Sequence, residues 1–248
     1  MKDQGAHRLS RRTILIGLAG LAGVTAAGGA IAWLKLAGST SAQSNHPQPT
    51  APQGVIVTTP LLTYRGHHAP VTAVAWHDTR IASGGGDHTV QVWNANTGAP
   101  LLTYSGHTDI VTALSWSPDG RKIVVGAAHT GFIQVWDAST GATLLTYRGH
   151  QQKTGDTSIT DVAWSPNGQW IASSSLDDSV QIWDSATGAA LLTYRTDPPA
   201  AMGTAEWSPD STRIAASGMA GAVHIFAAST GTTLGVLPGN GSPTIASQ

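Results

Sequence analysis

In residues 89–94, TVQVWN, polar and apolar side chains trade places at every step but the one from Val92 to Trp93. That two-residue period suits a strand that keeps one face dry. A similar short rhythm runs through LLTY at 61–64, VTAVAWH at 71–77 and RIASGG at 80–85, so the stretch from 61 to 94 reads as four short strands. Turn chemistry separates such stretches. SPDG at 117–120, SPNG at 165–168 and SPDS at 208–211 place proline second in a tight turn, where its fixed φ fits. NANTG, DASTG, DSATG and AASTG end on Gly98, Gly141, Gly188 and Gly231, which can supply the positive φ of a short hairpin.

The unit recurs. LLTYRGH starts at Leu61, LLTYSGH at Leu101, LLTYRGH again at Leu144 and LLTYRTD at Leu191, with a degraded LGVL at Leu234. The steps of 40, 43, 47 and 43 residues match four-stranded propeller blades. Each LLTY then reads as the outer strand of one blade leading into the next, because a single blade cannot bury both of its faces. Trp76, Trp116, Trp164 and Trp207 share one register and are expected to pack between blades.

With Gly-His near the start of a unit and Trp-Asp or Trp-Asn near its end, residues 60–240 resemble the WD-repeat family of β-propellers. The resemblance implies an all-β fold of about four four-stranded antiparallel blades. It also implies a hydrogen-bonded set of His, Ser or Thr, Asp and Trp inside each blade. The first unit offers His67, Ser83, Asp87 and Trp93, and the third His150, Ser173, Asp177 and Trp183. The second keeps His107 and Trp136 but has Val125 at the Ser position and an extra residue near His129, so it is expected to be the loosest blade. The fourth has Asp197, Ala216, Ala220 and Phe226 in those places, an exchange of polar bonding for apolar packing. Four such blades could form an open arc, close tightly, or pair with a second chain into a ring. Residues 241–248 read as a tail or a shortened fifth repeat.

The N-terminus follows a different pattern. Residues 13–34 form an uncharged run of 22 positions, long enough to cross a bilayer as a helix. Ser10, Arg11 and Arg12 stand just before it, and SRRTILI resembles the twin-arginine export signal, with Ile14 in place of the usual Phe. Residues 1–37 are therefore expected to be a signal or a membrane anchor, and 38–59, rich in Ser, Pro and Gln, a flexible linker. Cleaved or retained, the segment leaves the remaining chain outside the cytoplasm.

Charge and composition narrow the chemistry. Five of the thirteen basic residues fall in the first 35 positions, and the remainder carries a net charge of −5, which gives no footprint for nucleic acid. Without cysteine there is no disulfide, thiolate metal site or cysteine nucleophile. On the inner strands, Ala73, Ala113, Asp161 and Thr204 occupy one register and Ala75, Ser115, Ala163 and Glu206 another, so no ring of ligands or paired carboxylates is expected around the channel. Glycines 84–86 lie between two strands and read as a hairpin.

These readings favour a non-catalytic protein–protein interaction scaffold with no cofactor or metal. The alternative is a catalytic or metal-binding, hydrolase-like propeller using the central channel. The expected partners are a protein or peptide, the membrane if the N-terminal helix is retained, and a second copy completing a ring. From His67 to Trp76 and from His107 to Trp116 the step is nine residues, but from His150 to Trp164 it is fourteen. That insertion widens a loop beside the Gly-His turns, and loops on a rigid scaffold are where specificity tends to lie. His68, Thr108, Gln151, Gln152, Lys153 and Asp156 are the candidate rim.

Overall fold

The computed structural model describes residues 61–152, 156–219 and 221–239. The export motif Ser10, Arg11 and Arg12, the apolar run, the linker, Lys153, Ala220 and the tail from 240 lie outside the described residues.

The chain folds as four antiparallel four-stranded sheets, each built from consecutive strands. Blade 1 holds β1 (Val71–His77), β2 (Arg80–Gly85), β3 (Val90–Asn94) and β4 (Pro100–Tyr104). Blade 2 holds β5 (Val111–Trp116), β6 (Lys122–Ala127), β7 (Ile133–Asp137) and β8 (Thr143–Tyr147). Blade 3 holds β9 (Ile159–Trp164), β10 (Trp170–Ser175), β11 (Ser179–Asp184) and β12 (Ala190–Tyr194). Blade 4 holds β13 (Met202–Trp207), β14 (Arg213–Gly218), β15 (Val223–Ala227) and β16 (Thr233–Leu237). A 3-10 turn at Gly149–Gln152 falls in the inserted loop.

Each sheet is a meander because its connections are too short for anything else. Gly98, Gly141, Gly188 and Gly231 turn the third strand into the fourth at φ between 72° and 74°. The acidic or amide residue after the blade tryptophan caps that turn. Asn94 Oδ1 accepts from the N–H groups of Asn96 and Thr97, and Asp137 and Asp184 do the same one and two blades on.

Apolar faces join neighbouring blades. Ala82, Val90 and Val92 on the trailing face of blade 1 pack against Val111, Trp116 and Ile123 on the leading face of blade 2, and two equivalent clusters fill the next two junctions. The LLTY phrase crosses each junction. Its tyrosine stacks on the blade aromatic ahead: Tyr104 on Trp136 at 5.0 Å, Tyr147 on Trp183 at 4.5 Å and Tyr194 on Phe226 at 3.9 Å. Its second leucine lies against the turn glycine ahead, so that a Cβ at Gly188 would stand 3.0 Å from Leu145. On the inner strands a threonine hydroxyl reaches over. Thr72 donates to Val111 O, Thr112 to Ile159 O at 2.6 Å and Thr160 to Met202 O at 2.8 Å.

Among the described residues the ring does not close. β1, β5, β9 and β13 stand side by side in that order, and the two end strands do not pack on each other. Trp116, Trp164 and Trp207 are 4–6% exposed, but Trp76 is 64% exposed, with Val71 at 49% and Val74 at 50%. This corrects the expectation that Trp76 packs between blades, since no blade stands in front of it. The first LLTY is also corrected: among the described residues, 61–64 pair with no strand, and no blade precedes β1.

Candidate functional site

Polar networks make the blades rigid. In blade 1, His67 Nδ1 lies 3.0 Å from Asp87, its Nε2 lies 2.7 Å from Ser83 Oγ, and Trp93 Nε1 donates to that hydroxyl at 3.2 Å. In blade 3, His150 Nδ1 lies 3.0 Å from Asp177, its Nε2 2.9 Å from Ser173 Oγ, and Trp183 Nε1 donates to Ser173 at 3.2 Å. One tautomer satisfies both chains: Nδ1–H donates to the carboxylate, and the serine hydroxyl donates to Nε2. Burial pushes the Asp177 carboxyl up, but hydrogen bonds from His150 and Ser179 outweigh it and hold its pKa below the usual carboxylate range. Asp87 is likewise lowered, against burial, by the His68 and Thr89 N–H groups and the Thr89 hydroxyl.

Blade 2 departs from this. Val125, fully buried, takes the serine position, and the hairpin after it carries His129 at φ 52°. Both ring nitrogens of His107 and Nε1 of Trp136 are buried without a protein partner. Burial, with His88 nearby, pulls the His107 pKa down to about 4, so the ring is neutral at pH 7. In blade 4, Ala216 and Phe226 are fully buried in an apolar cluster at the serine and tryptophan positions.

The rim residues sit on the loops that follow the Gly-His turns. His68, Thr108, Gln151 and Asp156 are exposed. The backbone N–H of His68 donates to Asp87 at 2.9 Å, tying this loop to the blade 1 network. Gln151 Nε2 donates to Thr130 O at 2.6 Å, and Asp156 Oδ1 accepts from the Ser158 N–H at 2.9 Å and from its hydroxyl at 2.5 Å. His129 joins the blades: its N–H donates to Ser158 Oγ at 2.9 Å, and its ring lies 3.0 Å from Asp109. The inserted loop of blade 3 is thereby tied onto the hairpin of blade 2. His129, Asp109 and Ser158 were absent from the sequence-based candidates; the extra residue beside His129 was the signal that could have found them.

The inner strands carry two carboxylates, Asp161 and Glu206. Asp161 Oδ1 accepts from the Val162 N–H at 2.9 Å, and its Oδ2 accepts from the Ala205 N–H at 3.1 Å. Its carboxylate thus staples blade 3 to blade 4. Glu206 is exposed on the last inner strand. Among the described residues no group of three or more His, Asp or Glu side chains could hold a metal ion.

Three segments of the chain, residues 58–94, 98–137 and 141–184, match the family model described as the WD domain, G-beta repeat. They run through β11, the third strand of blade 3, and each ends on a Trp-Asp or Trp-Asn pair; blade 4 has Phe226 and Ala227 there. A search of the curated proteins finds no match to the chain.

Proposed function

We propose that this WD-repeat propeller, three of whose blades match the WD40 family model, is a non-catalytic protein-binding scaffold displayed outside the cytoplasm. WD40 repeats suggest an interaction scaffold in general, and the rim gives that reading a place. The carrying observation is the tie of the blade 3 insertion to the blade 2 hairpin through Gln151, His129 and Ser158. It presents exposed polar side chains on a pre-ordered surface, which lowers the entropy lost on binding. A protein or peptide is the partner of that rim. Residues 13–34 tether the scaffold to the membrane where they are retained, and the open end blades engage a second copy of the chain.

The display is tested by fusing residues 1–60 to a reporter that is active only after export in a folded state. The native fusion should be exported, and Arg11→Lys with Arg12→Lys should stop it. Unimpaired export of the double variant refutes the twin-arginine route, and a native fusion kept in the cytoplasm refutes the display. Metal analysis addresses the enzymatic rival: a stoichiometric ion, with an activity lost on chelation, would overturn the non-catalytic reading.

A further inference from the structure

Residues 61–64 hold a seat without a sheet. Tyr64 stacks on Trp93 at 4.8 Å with the rings 7° apart, and its hydroxyl donates to Gln91 Oε1 at 2.8 Å. Leu62 lies against Gly98. Tyr147 and Leu145 make the same three contacts on blade 3, with Trp183, Gln181 and Gly188, as part of the outer strand of blade 2. Residues 61–64 therefore stand where the outer strand of a preceding blade belongs, paired with no strand among the described residues. Beside them, Val71, Val74 and Trp76 leave the leading face of blade 1 open.

The other end of the arc is open on the complementary face. Thr204, Glu206 and Ala215 are exposed on blade 4. Its outer strand β16 is a poor copy of the phrase. In register, Leu237 opposite Val223 replaces the tyrosine and is 59% exposed, and Gly235 opposite Ile225 replaces the second leucine and would meet nothing within 4 Å of an added Cβ. In two of the three internal junctions the indole reaches the blade behind, Trp116 Nε1 donating to Ala75 O and Trp207 Nε1 to Ala163 O; Trp164 Nε1 donates within its own blade, to Gly168 O. Trp76 Nε1 donates to the carbonyl of its own Asp78; among the described residues, the carbonyl that corresponds to Ala75 O and Ala163 O on blade 4 is that of Glu206.

We propose that the leading face of blade 1 receives the trailing face of blade 4 from a second copy, and that residues 61–64 displace β16 as the outer strand of that blade. This rests on the second-copy reading above and adds the exchange of strands. The three internal junctions are the template for the join: Ala215, Val223 and Ile225 stand where Ala82, Val90 and Val92 face blade 2, with the polar Thr204 and Glu206 on the inner strand. A two-fold axis along the channel forms both joins at once and leaves no open end. Exchange is required because β16 and residues 61–64 claim the same place. The phrase brings a stacked tyrosine and a seated leucine, and β16 brings neither.

Because the chain has no cysteine, the test is a pair of engineered ones in the full chain. Exchange puts residue 63 opposite residue 224, as Thr103 stands opposite Gln91 within blade 1. Thr63→Cys with His224→Cys, oxidised by copper phenanthroline, should give two chains held by two disulfides, and neither single variant should give the doubly linked species. His224→Cys with Val236→Cys reports the resident strand, because those positions are paired in β15 and β16; its intrachain link should fall severalfold as concentration rises. If the cysteine variants fail to fold, sedimentation of the unsubstituted chain decides, and Trp76→Ala should weaken its dimer about tenfold or more. A single-chain mass at all concentrations overturns the second-copy reading. A dimer that keeps the 224–236 link in full overturns the exchange alone.

Discussion

Replacing Val125 with serine should repair the incomplete network of blade 2. Val125 is fully buried, and beside it His107 Nε2, His107 Nδ1 and Trp136 Nε1 have no protein partner. A hydroxyl placed as Ser173 is in blade 3 accepts from Trp136 and donates to His107 Nε2, leaving only Nδ1 unpartnered. Leaving a buried polar group unpaired costs about 1–3 kcal/mol, so pairing two of them recovers about 2–6 kcal/mol, nearer the lower end because the new hydroxyl is itself desolvated. Losing the valine methyls costs about 2 kcal/mol. Val125→Ser should therefore equal or exceed the native chain by about 1 kcal/mol, although it removes apolar volume from a core. Val125→Ala makes a comparable cavity without the hydroxyl and should lie about 2 kcal/mol or more below Val125→Ser. Urea unfolding at constant m measures both. Equal stability of the serine and alanine variants would refute the claim that these nitrogens lack partners.

The converse change, Ser173→Val, strips His150 and Trp183 of their shared partner and should cost about 2–4 kcal/mol by the same urea assay. The His107 ring predicts a pH dependence. Its folded pKa of about 4 lies below the ordinary 6.5, so the unfolded chain takes the proton first. The contribution is complete above about pH 6.5 and falls as pH drops toward 4, by up to about 3 kcal/mol; His107→Leu should flatten that part of the stability–pH curve. Asp177 is lowered, so its stabilisation is present above the ordinary carboxylate range and is lost only in more acidic solution, in a window that His107→Leu leaves unchanged. Asp161→Asn keeps an acceptor for the Ala205 N–H and should be mild, whereas Asp161→Ala removes the staple between blades 3 and 4 and should cost about 1–3 kcal/mol in thermal unfolding.

The blades were legible because their signals are local. The period of two, the SPDG-type turns and the glycines after Trp-Asp lie within a few residues of one another, and together they specify a four-stranded meander. The phrase LLTY was legible as an outer strand for the same reason. What failed was the fate of identical words at the end of the array. LLTY at 61–64 and the register tryptophan Trp76 read like their repeats, but pairing and burial depend on a neighbouring blade, and the described residues place none there. The missing serine at Val125 was visible in the alignment of units, although the loss of all three partners at His107 and Trp136 required the packing around them. His129 escaped notice as a rim residue because its role comes from a turn shifted by one residue and from a hydroxyl, Ser158, 29 positions away.

Site-specific photo-crosslinking on the intact chain in its native cell tests the scaffold most directly. A crosslinker placed in turn at His68, Thr108 and Gln151 reports the rim, and one at Asn96, Ser139 or Ala186 reports the turns at the opposite end of the same blades. The account predicts an adduct to one and the same protein from the three rim positions and little from the opposite turns. No adduct from the rim, or the same yield at both ends, would contradict it.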